Sequence, residues 1–158
     1  KKSDRSAKEG LVFPYIHPGS KLGVLLEINC ETDFVANTDD FKDLCKDISM
    51  HIAASAPMSV TREEISSDVL DREKAIYADQ ARQSGKPENI IEKMTEGRLN
   101  KFYQENVLVE QSFVKDPDKT VNDLITETVA KLGENIIISR FSRFQLGEKV
   151  NNSAPTEN

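Results

Sequence analysis

Four side chains in the sequence are of types that bind transition metals: His17, Cys30, Cys45 and His51. Zinc sites usually draw their ligands from closely spaced pairs along the chain. The spacings between these four residues lack such pairs, so we expect neither a metal site nor a bound cofactor. His51 also falls in a helical pattern, where a solvated or core-edge histidine is more common than a metal ligand.

Adjacent acids and one lysine-containing loop are the other groups that could support chemistry. Asp39–Asp40 and Glu63–Glu64 are most simply helix-start charges that complement the helix dipole, rather than acid–base dyads. The loop Ser84–Pro87 lacks the first glycine and the hydroxyl of a phosphate-binding loop. Dinucleotide-binding and nucleophile-elbow motifs are also absent from the sequence. The sequence therefore predicts a protein that is not an enzyme.

The stretch from Asn29 to Phe41, "NCETDFVANTDDF", places an acid and a phenylalanine side by side where a strand gives way to a helix. In one continuous helix Phe34 would share the buried stripe of Phe41, and the pattern alone favours a core position for it. Thr38 followed by two acids, however, is a second helix start. We therefore expect Thr32–Asn37 to form a short turn ahead of the main helix.

Two apolar runs, Leu11–His17 and Leu22–Asn29, flank a Pro-Gly-Ser-Lys turn and predict a β-hairpin. In the second run Val24, Leu26 and Ile28 share one face, as in a strand with one buried side. A third strand is predicted over Asn135–Leu146, which is rich in Ile and Phe. Its apolar phase slips between Phe141 and Phe144, as a β-bulge would cause.

Helical spacing predicts four main helices between the hairpin and the last strand. They are Phe41–Ser55, Ser67–Ser84, a helix that Pro87 opens and that includes Phe102, and a helix that Thr120 caps and Gly133 ends. The segment Lys115–Lys119 is expected to be a loop. The fold class is therefore α+β: a three-stranded antiparallel sheet, made of the N-terminal hairpin and the C-terminal strand, covered by about four helices.

Length and charge restrict the function further. The 158 residues suit one domain, and 21 basic against 27 acidic residues give a net charge of −6. The basic residues are scattered, which argues against a nucleic-acid partner, although a local patch stays open. Two lone cysteines are typical of a reduced, cytosolic protein. No apolar run approaches the ~20 residues that a membrane helix needs.

The chain begins with lysine, so we expect it to be processed or truncated. Residues 1–10 are polar and are interpreted as a linker remnant. Residues 11–148 form the predicted core domain. The polar residues 149–158 are expected to be a disordered tail.

The segment "INCETDFVAN" resembles the signature of translation elongation factor Ts, the nucleotide exchange factor for the GTPase elongation factor Tu. Further blocks, among them "YIHPGSKLGVLLEINC", "SGKPENIIEKMTEGRLNKFYQE" and "GENIIISRFSRFQLGE", extend the resemblance from about Gly10 to Glu148. The arrangement is similar to the short form of the family, and the resemblance implies a homodimer formed through this domain. It also implies a cytoplasmic bacterial protein, or one of an organelle stroma or matrix.

The resemblance assigns roles to particular residues. It implies that Asp33 and Phe34 enter the GTP-binding domain of elongation factor Tu near its magnesium and phosphate site, with Thr32 and Val35 shaping the turn. His17 matches a histidine that contacts the GTPase in longer members, where it belongs to the other half of a duplicated core. A phenyl ring that inserts there would help to release GDP without covalent chemistry.

Two other hypotheses stay open at this point. Family members begin with a small three-helix domain that grips the GTPase, and Lys1–Gly10 matches only the linker after it. The chain could therefore be a dimerisation module whose exchange activity depends on that domain. The second alternative is a small enzyme with a site assembled across a dimer, for which the sequence offers only Asp33 and His17.

Overall fold

A computed structural model describes residues 2–148 of the chain, and the predicted tail 149–158 lies outside them. The expected α+β class is confirmed. The strands and helices are β1 Glu9–Ile16, β2 Leu22–Cys30, α1 Asp33–Ala36, α2 Asp39–Ser55, α3 Ser67–Gln83, α4 Glu88–Asn106, β3 Ser112–Phe113, β4 Asp116–Thr120, α5 Val121–Leu132 and β5 Ile137–Gln145. Short 3₁₀ turns span Lys2–Asp4, Arg62–Glu64 and Leu108–Glu110.

The three long strands form one antiparallel sheet in the order β1-β2-β5, so the hairpin's second strand lies in the middle. Leu26 of β2 pairs with Phe13 of β1 and with Phe141 of β5. These side chains share the face covered by helices, and Leu26 is completely buried. The inner face of the sheet and α2 together build the core.

Helix α2 supplies the largest apolar stripe of the core, and it follows the predicted spacing. The residues of this stripe are all buried: Phe41, Leu44, Cys45, Ile48 and Ile52. Thr38 caps the helix, since its hydroxyl accepts a hydrogen bond from the Phe41 N–H at 3.2 Å. Pro57 follows soon after the helix ends at Ser55, as expected.

Helix α5 has both of the predicted end signals. Thr120 and Asp123 form a capping box at its start. Gly133 ends the helix with a left-handed backbone, φ +78°, which costs glycine little. The chain then turns at Glu134 and Asn135 into β5.

Two expectations about boundaries and irregularities are wrong. The predicted loop Lys115–Lys119 lies largely within β4, which pairs with β3 in a separate two-stranded ribbon. Pro117 fits there because an edge strand tolerates a residue without an N–H. The β-bulge in β5 lies at Ser139 rather than between Phe141 and Phe144, because Arg140 pairs with Glu27 and Ile138 with Ile28.

Helices α3 and α4 pack mainly on each other as a helical hairpin. The guanidinium of Arg98 lies 4.5 Å from the ring centroid of Tyr77, a cation–π contact across the two helices. Within residues 2–148, no helix is both long and apolar enough to cross a membrane.

Candidate partner-binding site

The Asp33–Phe34 turn is a separate element, as the second cap at Thr38 predicts. Helix α1 is a single turn, and the chain breaks at Asn37 before α2 begins. The side chain of Phe34 is 82% exposed, and that of Asp33 is exposed beside it. Phe34 has the highest exposed fraction among the large apolar side chains that are exposed in residues 2–148.

The other half of the same turn is buried. Val35 is 6% exposed and Ala36 is completely buried, so α1 packs against β1 and β2 while Phe34 faces solvent. Of the predicted contact residues, Val35 therefore anchors the turn from beneath. A side chain on an anchored turn loses less conformational entropy on binding a partner than one on a mobile loop.

Side-chain hydrogen bonds close both ends of the turn. The Thr32 hydroxyl accepts from the Val35 N–H at 3.2 Å, as an N-cap does. At the other end the Asn37 side chain donates to the Asp33 carbonyl at 2.9 Å. The Thr38 hydroxyl donates to the Val35 carbonyl at 2.7 Å, which joins α1 to the cap of α2.

Cys30 lies directly under this turn and is not a reactive group. Its thiol is completely buried and lies 3.2 Å from the Thr32 carbonyl, to which it donates. Burial, together with the nearby Glu134 carboxylate, raises the pKa of the Cys30 thiol. Burial raises the pKa of Cys45 to about 12. Both thiols are therefore protonated at neutral pH and are poor nucleophiles and metal ligands.

His17 lies at the far end of the hairpin from Phe34. It follows Ile16, which pairs with Gly23, whereas Phe34 follows the strand end where Glu9 pairs with Cys30. Seven residues of strand separate these ends, about 23 Å at ~3.3 Å per residue. His17 is exposed, and its Nδ1 lies 3.0 Å from the Tyr15 hydroxyl. The structure thus brings Thr32 to Val35 together but not His17.

The remaining metal-ligand candidates are also dispersed. His51 is completely buried in α2, where Nδ1 accepts from the Val114 N–H at 3.1 Å and Nε2 donates to Gln111 Oε1 at 2.9 Å. Across residues 2–148 no group of three or more His, Cys, Asp or Glu side chains could hold a metal ion. The candidate site is the turn of α1, where Thr32 to Val35 lie together.

Glu134 is a residue of the site that sequence reasoning assigned no function. Its carboxylate accepts hydrogen bonds from the backbone N–H groups of Glu31 and Thr32 and from the Thr32 hydroxyl. The signal for it was the start of the block "GENIIISRFSRFQLGE", which is Gly133-Glu134-Asn135. From these three residues only Gly133 was interpreted, as a helix stop. Only the pairing of β2 with β5 reveals that this run lies beside the turn.

The fold and the site together define an α+β domain that presents an aromatic ring and an acid on an anchored turn. Residues 1–148 match the family described as Elongation factor TS. The chain is 59% identical over 148 residues to Elongation factor Ts of Geobacter sulfurreducens, covering 94% of this chain and 68% of the relative. It is 54% identical over 154 residues to Elongation factor Ts of Thermoanaerobacter pseudethanolicus, covering 98% of this chain and 76% of the relative.

A third relative, Elongation factor Ts of Fervidobacterium nodosum, is 56% identical over 148 residues and is covered over 75% of its length. The chain belongs to the elongation factor Ts family. This family acts in translation elongation as the nucleotide exchange factor for elongation factor Tu, and it does so without being a catalytic enzyme. The resemblance stated from the sequence is confirmed.

Proposed function

We propose that this chain promotes GDP release from elongation factor Tu by inserting Asp33 and Phe34 beside the magnesium and phosphate site of the GTPase. The observation that carries the proposal is the 82% exposure of Phe34 on a turn whose other side is buried. Burying a phenylalanine side chain yields ~1.5–3 kcal/mol. That free energy is withheld in the free protein and becomes available in the complex.

Binding energy of this size lowers the affinity of the GTPase for its nucleotide through thermodynamic linkage. The magnesium ion coordinates the nucleotide phosphates in a GTPase site, so displacing the metal weakens nucleotide binding. A protein that binds the nucleotide-free GTPase more tightly must weaken nucleotide binding by the same factor. The Asp33 carboxylate supports the ring, because a negative charge there repels phosphate and competes for its hydrogen-bond donors.

Release of a fluorescent GDP analogue from elongation factor Tu tests this proposal. We expect Phe34→Ala to lower the accelerated rate by about tenfold or more, since 1.4 kcal/mol corresponds to tenfold. Met58→Ala is a matched control, because Met58 is also exposed, at 53%, and lies in the loop after α2. Equal acceleration by the unsubstituted chain and by Phe34→Ala would exclude insertion of the Phe34 ring as the cause of GDP release.

We also propose that the chain forms a homodimer through the outer face of its sheet. Apolar side chains are exposed on this face: Val12, Ile16, Leu25, Ile137 and Phe144. Ile16 and Phe144 flank Gly23 on neighbouring strands. At the other end of the face Arg140 donates to Glu27 at 2.8 Å. Sheets pack face to face about 10 Å apart, so a second copy of the same face can cover these side chains.

A dimer would also explain how His17 takes part. Because His17 and Phe34 lie at opposite ends of one hairpin, a single copy cannot direct both into one small site. A second copy could supply the histidine, as the other half of the duplicated core does in longer family members. His17 then contacts the GTPase from the partner subunit.

Sedimentation velocity tests the dimer. We expect Phe144→Glu to produce monomers, because it places a charge on the apolar face, and Ile76→Glu to leave dimers intact. Ile76 is a matched control, since it is exposed on α3 away from the sheet. If the unsubstituted chain sediments as a monomer at micromolar concentration, the sheet face has another role. A stable dimer that leaves GDP release unchanged would favour the module that only dimerises.

A further inference from the structure

The chain that enters the Phe34 turn is hydrogen-bonded to Glu134, which lies 103 residues after Glu31 in the sequence. One Glu134 oxygen accepts from the backbone N–H of Glu31 at 3.1 Å and from that of Thr32 at 3.0 Å. The other oxygen accepts from the Thr32 hydroxyl at 2.8 Å. We propose that Glu134 is a positioning residue that fixes the direction in which Phe34 projects, an inference that rests on the exchange function proposed above.

The two segments are hydrogen-bonded in both directions. We call the hydrogen bonds that join Glu31 and Thr32 to Glu134 and Asn135 the latch. The Glu31 carboxylate accepts a hydrogen bond from the Asn135 N–H at 2.8 Å. Asn135, which is buried, donates from its side chain to the carbonyls of Arg5 at 2.8 Å and Ser3 at 3.3 Å. The end of β2, the start of β5 and residues 3–5 are thus joined at one place.

A single helical turn depends on such support. The first turn of a helix fixes several backbone angles for one hydrogen bond, so α1 with its four residues is unfavourable by itself. The Thr32 hydroxyl has one proton, and donating it to Glu134 leaves a lone pair directed at the Val35 N–H. Glu134 therefore sets the orientation of the N-cap as well as the backbone that enters the turn.

Position matters because the ring acts in a site on another protein. A displacement of about 1 Å in a positioned group can lower a rate by up to about a hundredfold. Val35 and Ala36 are held by the core on the other side of the turn. Loss of the latch should therefore leave the domain folded while Phe34 samples unproductive directions.

A double-mutant cycle between Glu134→Ala and Phe34→Ala tests the inference by GDP release from elongation factor Tu. We expect E134A alone to slow the accelerated release about tenfold, because three bonds to an ionised acceptor are lost. In the F34A background the same change should slow release less than about twofold, since coupled residues are non-additive. Glu96→Ala, an exposed glutamate on α4, is the control and should leave release unchanged.

Conservative variants keep the test informative if E134A unfolds. E134Q can still accept from the two backbone N–H groups but presents an amide to Thr32 in place of one oxygen, so we expect an intermediate rate. Thr32→Ser keeps the hydroxyl and should accelerate GDP release more than Thr32→Val, because valine can neither donate to Glu134 nor cap α1. An unchanged rate in E134A, or equal rates for Thr32→Ser and Thr32→Val, would overturn the inference, as would an equal effect of E134A with and without Phe34.

The failure of this inference is distinguishable from failure of the proposed function. If Phe34→Ala itself leaves GDP release unchanged, the proposed insertion of Phe34 is wrong, whatever effect the Glu134 variants have. Hydrogen exchange then reports positioning directly. We expect E134A to speed exchange of the Val35 amide at least about tenfold while the Phe41 amide stays protected, and unchanged exchange at Val35 would overturn the latch.

Discussion

Phe34 and Phe41 are seven residues apart in sequence and have opposite environments. The Phe34 side chain is 82% exposed, whereas Phe41 is completely buried under the sheet. Seven residues are about two helical turns, so one continuous helix would have placed both rings on the same face. The break at Asn37 and the new cap at Thr38 rotate the two rings apart.

The first prediction compares the two rings by stability. Phe34→Ala should change the free energy of unfolding by less than about 0.5 kcal/mol, because an exposed side chain loses no packing. Phe41→Ala should cost about 3–5 kcal/mol, because it leaves a cavity in the core. Urea unfolding followed by circular dichroism measures both. A large loss for F34A would mean that the ring supports its own fold.

Much of the fold could be predicted because local rules and burial agree there. The alternation of Val24, Leu26 and Ile28 and the stripe from Phe41 to Ile52 each have one periodicity and one buried face. Thr120 and Gly133 carry helix-end signals that depend only on neighbours in sequence. Such features need no knowledge of distant contacts.

The features that were missed depend on partners distant in sequence. β4 is a strand because Ser112 pairs with Thr120 and Phe113 with Asp116, although its composition is that of a loop. The bulge at Ser139 follows from pairing with β2, where the Ser139 hydroxyl bonds to the Asn29 side chain. The role of Glu134 is invisible until β5 lies beside β2. In each case tertiary contact overrides local propensity.

The second prediction concerns two glycines with opposite constraints. Gly10 has φ +139°, and an added Cβ would lie 2.1 Å from the Ile28 carbonyl oxygen, which belongs to the central strand and cannot move aside. Gly10→Ala should therefore destabilise the protein by more than about 2 kcal/mol. Gly97 lies inside α4 with open space around it, and Gly97→Ala should stabilise by about 0.5–1 kcal/mol. Thermal unfolding of both variants checks the contrast, and a tolerated G10A would show that the sheet edge adjusts.

The third prediction concerns Thr38, which links the exposed turn to α2. Its hydroxyl accepts from the Phe41 N–H and donates to the Val35 carbonyl at 2.7 Å. Thr38→Ala should cost about 1–2 kcal/mol of stability, the upper part of the range for N-caps, because two hydrogen bonds are lost. Thr38→Ser keeps the hydroxyl and should recover most of it. Equal unfolding midpoints for the alanine and serine variants would show that the cap contributes little.

The last prediction is a loss of stability in mild acid that originates at His51. Burial lowers the pKa of this histidine, and the hydrogen bond to Gln111 opposes the shift only in part. Its Nδ1 accepts from the Val114 N–H, so a proton there would break a hydrogen bond that holds the start of the β3–β4 turn against α2. The neutral form therefore belongs to the folded state.

The direction follows from proton linkage. In the unfolded chain His51 titrates near its ordinary pKa of about 6.5, and in the folded chain it titrates lower. Between these two pKa values the unfolded chain binds more protons than the folded chain. The contribution of neutral His51 to the free energy of unfolding is therefore fully present above about pH 6.5. It decreases below that pH, by at most about 1.4 kcal/mol per pH unit. Urea unfolding between about pH 7.5 and about pH 5.5 should show this slope, reduced in His51→Gln and retained in the exposed His17→Gln. If His51→Gln keeps the full slope, the acid sensitivity arises elsewhere, because removal of the group must remove its proton linkage.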